Sequence, residues 1–185
     1  MDNTTKLYET SILRKIEGGM VKTMEEMKPF VEMKKENMTP EELIAKLEFQ
    51  ERLNALKLIK SELIRENGAV KGTNNEYLLN EDEETKLLLR LKNSHEESMK
   101  GYEKSGRKDL YDHEKAELDV INEYTPKQPT EEEIIEYTKS VISDYLATKE
   151  DGYQPSMRDM GQIMPKVKAK YPLVDGNIVR KALLG

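Results

Sequence analysis

His95 and His113 are the only histidines of the chain, and both stand near carboxylates, Glu96 and Glu97 beside the first and Glu114 and Glu117 beside the second. Imidazole nitrogens and carboxylate oxygens are the donor set of zinc and related divalent ions. The two histidines fall on opposite arms of a helical hairpin that turns at Gly106, about one helical turn out of register. A His–His–carboxylate site is therefore conceivable. Two histidines among so many glutamates are more commonly solvated surface residues, and the sequence reading assigns no metal. The run Glu131-Glu132-Glu133 invites a carboxylate-pair reading, but it occupies a first helical turn, where the dipole favours negative charge, and it reads as structural. The G-x-x-x-x-G-K-[ST] loop, the G-x-G-x-x-G turn and the G-x-S-x-G elbow are all missing from the sequence. No catalytic residue and no cofactor is expected.

A second kind of chemistry is electrostatic. From Pro155 to Gly185 there are six basic residues, Arg158, Lys166, Lys168, Lys170, Arg180 and Lys181, against Asp159 and Asp175, a net of +4. The whole chain carries −6, which leaves −10 on the first 154 residues. Such an asymmetry marks a nucleic-acid-facing end or is an accident of composition. The six basic residues are the candidate phosphate contacts.

The elements that must position these groups follow from composition and punctuation. Charged and apolar residues each make up 36% of the 185, and 11 are aromatic. Typical globular domains hold about 25% charged and about 45–50% apolar residues. So little apolar surface lines seams between helices better than it fills a thick core. With no cysteine, neither disulfides nor thiolate metal sites are available. The polar start MDNTTKLYETS lacks the apolar stretch of a signal peptide, and no apolar run approaches the roughly 20 residues of a membrane span. A cytoplasmic location without membrane partners is expected.

Residues 6 to 33 read as one helix with Leu7, Ile12, Ile16, Met20, Met24, Met27 and Val31 along a row. Gly18-Gly19 and Pro29 are its weak points, and its methionines read as gap-filling core. Thr39-Pro40-Glu41-Glu42 is a capping box with proline at the first helical position. The helix it opens carries Ala45, Phe49, Leu53, Leu56, Ile59 and Leu63 and is expected to end near Asn67-Gly68, before a loop over 68–79. Asn80 and Glu83 open another helix, with Leu87, Leu88, Leu91, Met99 and Tyr102 on its apolar face. It runs for about 35 Å to the corner in YEKSGRKDLYDHE, residues 102–114. Gly106 supplies a left-handed residue there. Arg107 is expected to bond helix-end carbonyls or Asp109, or to meet a partner. Asp109 is expected to cap the returning helix, with Asp112 completing a D-x-x-D box. That helix offers Leu110, Leu118, Ile121 and Tyr124.

TPKQPT, residues 125–130, excludes a continuing helix. Thr130 with Glu133, Ser156 with Asp159, and Asp175-Gly176 each open a short helix after it, and Pro165 is expected to bend or shorten the second. No strand pattern occurs. The expected fold is all-α, with an elongated helical-hairpin amino-terminal domain over 1–124, a linker over 125–130, and a small three-helix bundle over 131–185. Residues 1 to about 40 form an extra helical segment in this reading.

The run Y-E-K-S-G-R-K-D-L, with E-K-A-E-L at 114–118, E-Y-T-P-K-Q at 123–128 and the E-E-E-I helix, closely resembles the GatB/YqeY family. In that family a helix ends in an alanine- or serine-glycine-arginine corner, an E-x-E-L helix follows, and a Y-L-P-x-Q linker leads to a small helical domain. RLNALKLIKSEL, 52–63, is similar to the family's early helix. DMGQIMPKVKAKYPLVDGNIV, 159–179, is similar to its carboxy-terminal signature. The resemblance covers roughly residues 45 to 185. The first 40 or so residues look like an insertion or extension. Thr125 stands where the family has leucine and is expected to loosen local packing. The resemblance implies a tail similar to the one that ends the B subunit of tRNA-dependent amidotransferases, where it contacts tRNA. It also implies carbon–nitrogen ligase activity with glutamine as amido donor. The sequence shows neither an amidase nor an ATP-binding domain, so such activity would belong to a complex with an amidotransferase or an aminoacyl-tRNA synthetase. The function expected on this basis is that of a tRNA-binding accessory without a catalytic centre. The alternative is a helical adapter that binds proteins along the hairpin seam.

Overall fold

A computed structural model describes residues 3–71, 78–150 and 152–185. Among them there are eight α-helices and no strand. The chain divides into two compact units, Met1–Pro126 and Lys127–Gly185.

The first unit holds α1 (Asn3–Thr10), α2 (Ile12–Val31), α3 (Pro40–Lys71), α4 (Glu81–Ser105) and α5 (Lys108–Tyr124). The single helix expected over 6–33 is broken at Ser11, which sits in extended backbone and caps α2 by accepting from the Arg14 amide. The break leaves four backbone donors to satisfy at the start of α2. The Ser11 amide reaches the Tyr8 carbonyl at 3.2 Å, and Arg14 donates to Ser11 Oγ at 3.1 Å. The amides of Ile12 and Leu13 donate to the Glu84 carboxylate, at 2.8 and 3.3 Å. Glu84 belongs to α4 and is 1% exposed. A buried carboxylate at a helix amino terminus is stabilised both by the amides and by the positive end of the helix dipole.

Around this contact Ile12, Leu13 and Ile16 of α2 pack with Ala55, Leu56, Ile59 and Leu63 of α3, Leu87 and Leu88 of α4, and Val120 and Ile121 of α5. The segment read as an extension therefore supplies part of the main core. Gly18-Gly19 does not interrupt α2. A methyl group on Gly19 would overlap the Tyr124 hydroxyl, so glycine lets the end of α5 approach. Pro29 is accommodated near the carboxy end of α2, where Lys46 Nζ donates to the Phe30 carbonyl at 2.8 Å. Of the methionine row, Met20 packs on the core while Met24 is exposed.

The boxes at Thr39 and Asn80 form as the sequence predicts, each residue exchanging two bonds with the glutamate three positions on. Asn67 does not end α3, which continues to Lys71. Its side-chain oxygen instead accepts from the amides of Leu78 and Leu79, at 2.7 and 3.4 Å, and holds the returning chain. Most of the loop expected over 68–79 lies outside the described residues. Arg52 makes a two-pronged ion pair with Glu123, at 2.7 and 2.8 Å, joining α3 to α5. Thr125 closes α5 through its hydroxyl, which donates to the Ile121 carbonyl at 2.7 Å.

The second unit holds α6 (Glu131–Leu146), α7 (Met160–Lys170) and α8 (Gly176–Leu184). Val141, Ile142, Ile163, Val167, Val179 and Leu183 form its core. Thr130 and Glu133 make the predicted box before α6. Ser156 and Asp159 also form a box, but it caps a short 3-10 turn over Met157–Asp159 that precedes α7. Pro165 lies within α7, which runs unbroken to Lys170. Asp175 caps α8 by accepting from the Asn177 amide.

Removing the Glu84 carboxylate would leave two buried amides unpaired. Glu84→Ala is expected to lower the stability of the full chain by on the order of 3 kcal/mol in denaturant unfolding. Glu84→Gln, which keeps an acceptor oxygen, is expected to cost clearly less. A loss below about 0.5 kcal/mol in Glu84→Ala would show that the contact is dispensable.

Candidate functional site

The six cations named from sequence all lie on the second unit and are all exposed. Arg158 stands on the 3-10 turn, Lys166, Lys168 and Lys170 on α7, and Arg180 and Lys181 on α8. They are not equivalent. Lys181 donates to Glu131 Oε1 at 2.6 Å, so the acidic first turn of α6 engages it, and this pairing raises the lysine's pKa. Lys170 sits over the Tyr137 ring, 4.1 Å from its centroid, with Tyr171 at 5.2 Å. Arg158, Lys166, Lys168 and Arg180 make no ion pair among the described residues. Residues 127–185 contain nine basic and nine acidic side chains, a net of zero. The unit is thus polarised in sequence, acidic at the start of α6 and basic on α7 and α8.

Asp159 secures the backbone beside Arg158. It is buried, and its Oδ1 accepts from the hydroxyls of Tyr145 and Tyr153, at 2.6 and 2.7 Å. Its Oδ2 accepts from the Ser156 amide at 2.8 Å. These bonds favour the ionised form, the Tyr145 and Tyr153 hydroxyls most, and bring the carboxyl down to about 2. The same contact pushes the Tyr153 hydroxyl up to about 12.

At the hairpin corner Gly106 has φ 70° and ψ 14°. Its amide donates to the Glu103 carbonyl at 3.2 Å and that of Arg107 to the Tyr102 carbonyl at 3.0 Å, closing α4. Asp109 does not cap α5. The helix starts at Lys108 and its cap position, Arg107, makes no side-chain capping bond. Asp109 lies inside the first turn, where Arg107 Nε and an Nη clasp its carboxylate at 3.0 and 2.9 Å. This guanidinium holds the Asp109 carboxyl below the usual carboxylate range. Asp112 takes the Lys108 ammonium at 2.8 Å.

His95, read from sequence as a solvated residue, is 9% exposed. Its Nδ1 lies 2.6 Å from Glu114 Oε2 and 3.7 Å from Glu117 Oε2. His113 is exposed, with Nε2 at 3.7 Å from the other Glu117 oxygen. The antiparallel register of the hairpin thus places His95 against Glu114 and Glu117 rather than against His113. The sequence held a signal for this. His95 falls in the row Leu88, Leu91, Met99, Tyr102, and Glu114 and Glu117 fall in the row Leu110, Ile121, Tyr124.

Two variants test this geometry. The space beside Gly106 is open, so Gly106→Ala meets only backbone strain and should cost about 1 kcal/mol in thermal or denaturant unfolding. Unchanged stability would mean that the corner tolerates a side chain. The lowered Asp159 pKa stabilises the fold above the unfolded value of about 4, and this contribution is lost as pH falls toward about 2. The raised Tyr153 pKa acts oppositely, its contribution being lost between about 10 and 12. Asp159→Asn should therefore flatten the dependence of the melting temperature on pH between about 4 and 2. An identical slope in both proteins would contradict the assignment.

No curated protein matches this chain in sequence. The family model described as Yqey-like protein matches residues 20–183. The match begins within α2, earlier than the residue near 45 from which the sequence motifs are recognisable, and it continues into α8. The corner at Gly106, the break after Tyr124 and the three-helix tail all lie within the matched span, and the chain belongs to the YqeY-like protein family.

Proposed function

We propose that this chain is a tRNA-binding accessory to amidotransferase-type or aminoacylation chemistry, reaching RNA phosphates through the basic end of its second unit. The observation that carries this reading is the set of four exposed cations, Arg158, Lys166, Lys168 and Arg180, that make no ion pair among the described residues. Unpaired cations at a surface are free to exchange their counterions for phosphate, which is the sequence-independent source of nucleic-acid affinity. Lys181 contributes less because Glu131 already holds it. Lys170, exposed on α7, lies over the Tyr137 and Tyr171 rings, an aromatic backing for a fifth cation. Carbon–nitrogen ligase chemistry with glutamine as amido donor enters only through a complex that supplies the catalytic subunit.

A second reading is favoured by a different surface. Val21, Met24 and Val31 of α2 and Ile44 and Leu47 of α3 are large apolar residues with substantial exposure. Such residues suit a protein partner, which makes the chain a helical adapter through its first unit.

Binding of unfractionated tRNA to the full chain separates the two. Four phosphate contacts at a slope of about 0.7–0.9 each should lower log affinity by about 3 per tenfold rise in salt. The triple variant Lys166→Glu, Lys168→Glu, Arg180→Glu should abolish binding at unchanged helicity, and Lys181→Gln should leave it nearly intact. If the wild-type chain binds no tRNA at low salt, the RNA reading fails and a stoichiometric protein in the purified material becomes the expected finding.

A further inference from the structure

We propose that His95, Glu114 and Glu117 bind a divalent transition-metal ion in the seam of the α4–α5 hairpin. The three side chains occupy positions where the apolar rows of the two arms would otherwise place leucine-like residues. They are only 10%, 18% and 17% exposed. Their donor atoms, one imidazole nitrogen and two carboxylate oxygens, all lie within 4.8 Å of one another. The ion pairs that either carboxylate makes among the described residues are with histidine alone, His95 for both and His113 for Glu117.

Charge is what makes this cluster a ligand set. Two carboxylates turned toward one half-buried spot repel each other, and the low local dielectric strengthens that repulsion. A divalent cation balances both carboxylates and takes the imidazole nitrogen as its third protein ligand. One nitrogen and two oxygens from protein suit zinc, manganese or cobalt, with further positions open to water. Magnesium, which favours an octahedral shell of oxygens, fits less well.

Ligand atoms about 2.0–2.2 Å from a tetrahedral ion stand about 3.3–3.6 Å apart. The 3.7 Å between His95 Nδ1 and Glu117 Oε2 is already close to that. The 2.6 Å contact with Glu114 is an imidazole–carboxylate hydrogen bond that opens slightly to admit the ion. The two ligands on α5 are three residues apart and share a face, so one metal joins that helix to α4. The join lies eleven residues before Gly106, about 16 Å along α4. His113 stands outside the ligand set, beyond the second oxygen of Glu117.

The test uses the tag-free full chain stripped with a chelator and titrated calorimetrically with Zn²⁺, Mn²⁺ and Mg²⁺. One equivalent of Zn²⁺ should bind and raise the melting temperature, with Mg²⁺ weakest. His95→Gln and Glu117→Gln should each weaken binding at least about tenfold, while His113→Gln stays within about threefold. Circular dichroism checks that the variants fold. Should they not, histidine ring NMR of the unsubstituted chain decides, because it has only two imidazoles. Zn²⁺ should then move the His95 signals at one equivalent and leave those of His113. No saturable binding by any of the ions, binding retained in both ligand variants, or a response confined to His113 would overturn the proposal.

Discussion

The Glu84 carboxylate lies inside the first unit, and the backbone amides of Ile12 and Leu13 are what make an anion tolerable there. The dependence runs in both directions. Without an acceptor supplied from α4, the first turn of α2 would bury unpaired donors, and without those donors the buried Glu84 carboxylate would lose two hydrogen bonds. The hydrophobic contacts follow from this link. Ile12, Leu13 and Ile16 share one core with Leu87 and Leu88, and the carboxylate contact holds the start of α2 at that core. A tie of this kind fixes position along both helices, which apolar packing alone does less sharply.

What could be read from the sequence divides along the same line, local against nonlocal. The caps at Thr39, Asn80, Thr130 and Ser156 were legible because each bond is made within four residues. Gly106 was legible because a positive φ is nearly glycine's own territory. The capping role expected of Asp109 fails through competition, since Arg107 two residues earlier captures its carboxylate from the cap position itself. Asn67 looks like a helix stop but spends its side chain on amides eleven and twelve residues away. Ser11 looks like an ordinary helical residue, and it becomes a break because a carboxylate 71 to 72 residues downstream is ready to receive the next two amides. No window of local sequence contains that information. The six basic positions are all exposed, but the difference among them arises from partners on α6 that only folding brings near.

In the second unit the balance of charge is therefore a matter of arrangement. Nine cations and nine anions cancel in sum, yet four of the anions are put to structural use. Glu133 closes the box before α6, Glu131 holds Lys181, Asp159 is sealed under two tyrosines, and Asp175 caps α8. Carboxylates committed in this way contribute less to the outward field than their number suggests, while Arg158, Lys166, Lys168 and Arg180 remain exposed. A domain of zero net charge with some of its anions tied down can still present a locally positive stretch.

The same distinction separates the two acidic sites on the arms of the hairpin. Glu84 and the Glu114–Glu117 pair all fall on rows that otherwise bury apolar side chains. Glu84 meets two amides and the positive end of a helix, fixed partners that belong to the backbone and cannot be titrated away. Glu114 and Glu117 share a single imidazole, His95, whose Nδ1 lies 2.6 Å from one carboxylate and 3.7 Å from the other. The first arrangement is electrostatically closed by the fold itself. The second would be closed by the proposed divalent ion, and that difference, rather than the presence of acidic residues in a seam, is what separates a structural carboxylate from a ligand.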